Sequence, residues 1–508
     1  MRFLLPLLLL LSAATVLLPG CEPKEDIVTT DSSARLEFSL DTVKFDTVFV
    51  TVGTVSKRLW VYNRNPRAVR VSEISLQNQP GITYSLLING DAGSTARDVE
   101  IRGKDSLLVL IRATVDPTPN DLKPFLLVDD LRFRTNGNDQ QVKVVSYGQN
   151  AYFHNGEEIT EDKIWKSDKP HVIFNYVRVA AGKSLTIEPG ARIYSHAGAA
   201  LLVAGQLLVN PNYKPTGELK LDDRNFVRFQ GDRREEMYAN TPGQWGGIWF
   251  LPGSQNNVVR FAEIKNSTFG LLAINPNSQR PFPNITIENS TIQNISSAKQ
   301  AITSSGLTFG LEGAAILGVS ADYTVRNTLI TNCEQYAVFG VQGGTYQFDY
   351  CTIANYTIQA NRQRPTFWLS NAIEVNEEPR PPLAPRLLMR NSIVWGNDLN
   401  GEELIFRNGE QYAGNISISN SVLRTKAYAG SGPLAQNKNG NILNPLEGPN
   451  YLFRSTFYRK RGKSYDYQLD TLSPASNKAA ALPNLTIDLL NRPRLSPADI
   501  GAFERKNP

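Results

Sequence analysis

The sequence predicts an all-β protein, with a β-sandwich over residues 36–150 and a parallel β-solenoid over 171–440, closed by a C-terminal coil and cap at 441–508. Three observations predict it. First, one frame recurs, apolar-x-apolar-x-polar-x-x-apolar-x-Asn, clearest as Ile285, Ile287, Asn289, Ile292 and Asn294. It returns as Tyr323, Val325, Asn327, Ile330, Asn332, then as Tyr346, Phe348, Tyr350, Ile353, Asn355. Leu387, Met389, Asn391, Val394 follows with Asn397 one place late, and Ile416, Ile418, Asn420, Leu423 lacks the last Asn. Val259, Phe261, Ile264, Asn266 is an earlier copy. Starts lie 23 to 41 residues apart, a spacing that means stacked units, because one copy cannot bury its apolar face alone. Second, alternation of period two makes each copy a strand with one buried face. The closing Asn suits a corner, since Asn tolerates the left-handed backbone, and stacked copies form an asparagine ladder from Asn266, Asn294, Asn332, Asn355 and Asn397. Third, short alternating runs about ten residues apart fill 36–150, divided by turns such as Asn89-Gly90-Asp91 and Asn136-Gly137-Asn138.

The chain opens with one positive charge at Arg2, a leucine-rich run from Phe3 to Leu18, and Leu18-Pro-Gly-Cys21. A short apolar core before small residues describes an export signal over 1–20. Leu18-Pro-Gly-Cys21 resembles a bacterial lipobox, which implies cleavage before Cys21 and lipid on its sulfur; the alternative is a plain secretory signal with an incidental Cys. Residues 21–35 form a polar tether. Glu22-Pro-Lys24-Glu25-Asp26 resembles the short acidic signals that send Bacteroidota lipoproteins to the outer face. The expected address is therefore the outer membrane, lipid-anchored, with surface exposure.

The net charge of +5 argues only weakly for anionic partners. Cys333 and Cys351 remain once Cys21 is lipidated, and two separate buried thiols fit the frame better than a disulfide. No Cys/His spacing suggests zinc, and no cofactor is expected.

Within 36–150 the strands include 44–52, 57–62, 69–76, 82–88, 106–113, 126–133 and 141–147. Phe45-Asp-Thr-Val, the strand Leu59-Trp-Val-Tyr-Asn63, Asp105-Ser-Leu-Leu-Val and Val115-Asp-Pro117 resemble immunoglobulin-like domains of the ASPM/SPD-2/hydin type. The resemblance implies a spacer or docking module. Asp41-Thr-Val43, Asp46-Thr-Val48, Asp105-Ser-Leu107 and Asp470-Thr-Leu472 look like Bacteroidota O-glycosylation sites, with ordinary strand alternation the favoured reading.

Residues 151–170 read as a connector containing His154. Ser184 to Ile193, with its Pro189-Gly190 corner, and Ala200 to Val209 form the first winding. Gly243-Gln-Trp245-Gly246-Gly247-Ile248 follows a charged loop. This Trp-Gly-Gly-Ile strand resembles the right-handed parallel β-helix, or pectin-lyase-like, superfamily. There the glycines allow close backbone approach and Trp245 closes the interior. Asp488-Leu-Leu-Asn-Arg492-Pro493 and Asp499-Ile-Gly-Ala-Phe503-Glu504 resemble the terminal block of secreted β-helix proteins, expected to cover the last coil.

The superfamily's enzymes use clustered acids with an Arg or Lys. Here Glu263, Glu288, Asp322, Glu334 and Asp349 occupy different frame positions, so no pair need share a face at the separation glycosidases require. The polygalacturonase-type and pectin-methylesterase-type motifs are missing, and the repeats carry no His. Arg326, Tyr323 and Tyr350 could lie on neighbouring coils as a lyase set. Two stretches read as glycan-binding candidates. One is the insertion carrying Arg364, Phe367 and Trp368. The other is the basic aromatic run with Arg454, Tyr458, Arg459, Lys460, Arg461 and Lys463, whose alternative is a capping segment. On an exported chain the expected partners are the membrane, through Cys21, and an acidic glycan or outer-membrane protein, rather than nucleic acid. The sequence favours a non-catalytic binding or scaffold module, with a polysaccharide lyase or hydrolase as the alternative.

Overall fold

The computed structural model describes residues 27–50, 53–76, 80–116, 125–304, 306–357, 362–375, 378–397, 400–445, 452–455, 466–470 and 472–505. They form two compact units divided between Asn150 and Ala151. Cys21 lies outside the described residues, as do Tyr458, Arg459, Lys460, Arg461 and Lys463.

In the first unit two sheets share one core. One sheet orders Val28–Thr29, Ala68–Leu76, Phe125–Thr135, Asn138–Gln149 and Thr42–Phe49, with Thr95–Ile101 also on Ala68–Leu76. The other orders Glu37–Phe38, Lys57–Tyr62, Ser106–Val115, Ile82–Ile88 and Asp91–Gly93. Alternate residues point inward, so Leu59 and Val61 meet Val109 and Ile111 in the buried layer. Asn63 ends its strand fully buried. Its amide nitrogen bonds the carbonyls of Arg67 at 2.8 Å and Ile101 at 3.0 Å, tying two loops together.

The second unit is a parallel solenoid of three faces. Among the described residues, nine strands stack as the first face, and eighteen join in a sheet that turns a corner to make the second and third. One coil reads Asn284–Glu288, Thr291–Ile295 and Ala314–Val319; the next reads Asp322–Arg326, Leu329–Cys333 and Tyr336–Val341. Each repeat of the frame is thus two strands, not one, and its middle residue makes the turn. Asn289, Asn327, Asn391 and Asn420 take positive φ there, as do Phe261 and Tyr350. Asn266, Asn294 and Asn332 also take positive φ, at the corner the frame predicts, so these copies carry the expected corner and a second one five residues earlier. Gly247, at φ 103, is required: a Cβ there would lie 1.8 Å from the Phe269 carbonyl oxygen on the next coil.

Two expectations are corrected. Residues 151–170 are not a connector but the solenoid's first winding. Tyr152–Ile159 pairs in parallel with His171–Val179, and Lys163–Trp165 with Ser184–Ile187. Nor does the C-terminal block cover the last coil. That end is closed by Tyr412, Tyr428, Leu434 and Leu443, packed on the core. The C-terminal segment instead runs along the side as a strap. Leu452, Phe453, Tyr467 and Leu469 bury against second-face residues Leu329, Ala354, Ile393 and Trp395. From Ala480 to Leu490 it follows the asparagine corner, ending on Leu219.

Candidate functional site

Inward positions of all three faces are spent on packing. Tyr323 and Tyr346 point inward and stack at 6.0 Å. Their hydroxyls donate to the carbonyls of Leu317 and Gly318, and burial raises both phenols. Cys333 and Cys351 are buried free thiols, raised by the same desolvation.

The corner is occupied by the strap. Asn289, Asn327 and Asn391 donate to the carbonyls of Asp488, Ile487 and Ala480 at 2.8, 3.0 and 2.8 Å. Tyr350 takes the Arg494 guanidinium over its ring at 3.7 Å and donates to Ala480. Asp488 accepts the amides of Leu490, Arg492 and Glu504, while Glu504 accepts those of Leu495 and Asp499. Burial raises the Asp488 and Glu504 carboxyls and lowers the Arg494 guanidinium. The terminal motif is a clasp whose acids are engaged by main-chain amides.

The later asparagines stand in register on the second face: Asn266 beside Asn294, then Asn332, then Asn355. Asn294 donates to Asn266 at 3.2 Å. Asn332 instead accepts from Tyr467, and Asn355 accepts the Cys333 amide. Gly396 takes the next rung, leaving Asn397 exposed and bonded to Thr357 at 3.2 Å. Trp245 is buried, its indole donating to Lys265 at 2.9 Å, with Gly246 donating to Ala199.

The acids are distributed over separate columns. On the first face Arg260, Glu288, Arg326, Asp349 and Arg390 occupy one outward column with alternating charge. Glu288 meets Arg260 at 3.1 Å and Arg326 at 2.8 Å, and Arg390 grips Asp349 at 2.7 and 2.9 Å. Arg326 thus belongs to this ladder, with Tyr323 inward and Tyr350 at the corner, so the three do not converge. Glu263 lies on the second face with Arg228 at 3.4 Å, Lys265 at 3.9 Å and Gln293 at 2.9 Å. Asp322 accepts the Thr345 amide and Glu334 that of Ser297.

The third face is different. Its outward column reads Leu202, Trp249, Leu272, Leu317, Phe339, Trp368 and Ile405, one residue per coil. Ile302 and Leu311, from the hairpin Lys299–Ser304 and Leu307–Glu312, pack into one cluster with Leu272 and Leu317. Trp249, Phe339 and Trp368 stay half-buried on either side. Tyr336 packs on Phe339 at 4.7 Å and Trp368 at 6.2 Å. Exposed Arg364 reaches Glu312 of the hairpin at 3.7 Å. Phe339 and Trp368, on adjacent strands about 4.8 Å apart, offer flat apolar faces along the solenoid, with Trp249 three rungs away beyond Leu272 and Leu317.

Of the predicted binding residues, Trp368 and Arg364 belong to this surface. Phe367 does not: alternation turns it inward, fully buried against Phe348 at 5.3 Å. Arg454 lies in the strand Phe453–Ser455, which pairs with Asp466–Leu469 on the strap. Trp249 and Phe339 escaped sequence reasoning. Their signal was outward phase beside Ile248 and Val338, visible only once the coils are stacked. A scan of protein-family models finds none that matches this chain, and no curated protein matches it either.

Proposed function

We propose that this chain is an exported, lipid-anchored outer-membrane or cell-surface protein that binds glycans or envelope components without catalysis. The carrying observation is the outward aromatic column Trp249, Phe339 and Trp368, framed by the hairpin and by Arg364. On this reading the first unit is an immunoglobulin-like spacer held to the membrane through Cys21, and the solenoid is a right-handed β-helix presenting its third face. The export signal and lipobox-like Cys21 support the address. The first face is ion-paired and the corner is covered by the strap, whereas Trp249, Phe339 and Trp368 keep part of their rings at the surface of the third face. The basic run from Arg454 to Lys463 is a second candidate surface for acidic glycans.

A glycan array probed with the full chain tests this. Binding should fall in Trp368→Ala and Phe339→Ala with the fold intact by circular dichroism. Unchanged binding in both, alongside loss on neutralising residues 454–463, moves the site to the basic run. Cleavage of uronic-acid polymers to new unsaturated ends would overturn the non-catalytic reading. Palmitate labelling should vanish in Cys21→Ala; retained labelling removes the anchor.

A further inference from the structure

At the solenoid's opening end, Tyr152–Ile159 has, among the described residues, one partner strand, His171–Val179. The pairing slips between Asn155 and Glu157, where Gly156 takes φ 61, and this bulge turns Glu157 toward His154. His154 Nδ1 meets the Glu157 carboxylate, which also receives Lys163 Nζ. His154 Nε2 lies 3.0 Å from His171 Nδ1, and His171 Nε2 lies 3.0 Å from the Lys166 carbonyl oxygen. Trp165 stacks on both rings, at 4.6 and 4.5 Å, and both histidines are buried. Glu157 and His171 address opposite nitrogens of His154, so the groups form a line rather than a cage.

The line has a proton requirement. Its ends, a carbonyl oxygen and a carboxylate, only accept. Three hydrogen bonds need three N–H groups, whereas two neutral imidazoles supply two. With all three contacts made as hydrogen bonds and Glu157 ionised, the line holds one imidazolium. The other groups facing it are Lys163 on Glu157 and Asp168, which accepts from Tyr152 at 2.9 Å. Tyr152 stacks on His171 at 5.0 Å with Lys169 over its ring at 5.5 Å. Burial pushes both imidazoles below the ordinary histidine value, His171 to about 4. Burial also works to raise Glu157, but the donors from Lys163 and His154 hold it below its usual value. The extra proton thus sits on His154, beside the carboxylate. When it leaves, Nδ1 and carboxylate face each other as two acceptors. Releasing Glu157 leaves the imidazoles buried without a counter-charge, so the engaged state has the higher proton affinity and is favoured at low pH.

We propose that Glu157, His154 and His171 form a proton-operated latch on the solenoid's first strand, engaged under acidic conditions and released as pH rises. The full chain, with only three histidines, suits ring-nitrogen NMR of selectively labelled histidine. One buried imidazole should protonate between about pH 4 and pH 7 while its neighbour stays neutral. Hydrogen exchange over 152–159 should rise several-fold, relative to 322–326, as that proton is lost. Glu157→Gln should lower the proton affinity about tenfold, as removal of an adjacent opposite charge does. Lys163→Met should raise it, which keeps the test alive if the first variant fails to fold. Two imidazoles that remain neutral down to pH 4, or an affinity indifferent to both substitutions, would overturn the latch.

Discussion

The first and third faces of the solenoid are built from the same coils, yet they meet solvent with opposite chemistry. Inward, both are aliphatic and aromatic throughout, because each coil must bury its strand against the next. Outward, the first face carries the column Arg260, Glu288, Arg326, Asp349, Arg390, in which each acid lies between two arginines. The third face carries Trp249, Leu272, Leu317, Phe339 and Trp368. A self-paired charge column has little left to offer a ligand, since its donors and acceptors are already used. A half-covered aromatic column retains apolar area that a partner can still remove from water. The comparison teaches that packing demands are shared by the faces, and that only a column not already self-satisfied has surface left to offer a partner.

Neighbouring residues test that division most sharply. Phe367→Ala should cost about 3–5 kcal/mol, because it hollows the core, whereas Trp368→Ala should cost much less and act on binding. Urea midpoints with glycan titration separate the two; equal destabilisation by both would erase the inside–outside distinction. At the corner beside the first face, Arg494→Ala should cost on the order of 3 kcal/mol, leaving Glu504 buried without its cation. Loss of the strap should show as faster proteolysis after residue 445, and an unchanged digestion pattern would deny it a clasping role. Asn327→Ala replaces a residue that tolerates positive φ with one that tolerates it less, and removes a bond to the strap, for about 1–2 kcal/mol. Asn327→Gly should recover part of that loss in thermal unfolding. Arg326→Ala should be mildest, at about 0.5–1 kcal/mol, since the ladder pair is partly solvated. Its effect should shrink in salt, while third-face binding should be salt-insensitive. A salt-sensitive glycan interaction would shift attention to the charged surfaces.

Much of the fold was legible in residues read singly. Ile285, Ile287 and Ile292 announce their buried side by alternation, and the closing Asn294 announces a turn by its tolerance of the left-handed backbone. The frame nevertheless read as one strand, because a corner that keeps the apolar phase on both sides leaves no break in the pattern. Residues 151–170 read as a connector because their inward positions carry His154 and Glu157 where other coils carry aliphatic side chains. The terminal block read as a cap because its motif shows a compact local fold but not the surface that fold lands on. The binding candidates divided in the same way. Phe367 and Trp368 are adjacent and equally aromatic, so only the register of their strand assigns one to the core and the other to the surface.

By itself, then, the sequence determined the strand content, the inward phase of each repeat and the turns at the closing asparagines Asn266, Asn294 and Asn332. All of these are local, arising from side-chain alternation and backbone sterics within a few residues. The tertiary structure alone decided which outward residues stand above one another. Coil lengths differ through insertions such as 296–313 and 356–366, so column membership depends on how separate strands pair rather than on their spacing along the chain. The same holds for the strap, whose Asp488 lies 199 residues from the Asn289 it holds. Contacts that distant are chosen by the packed surface as a whole.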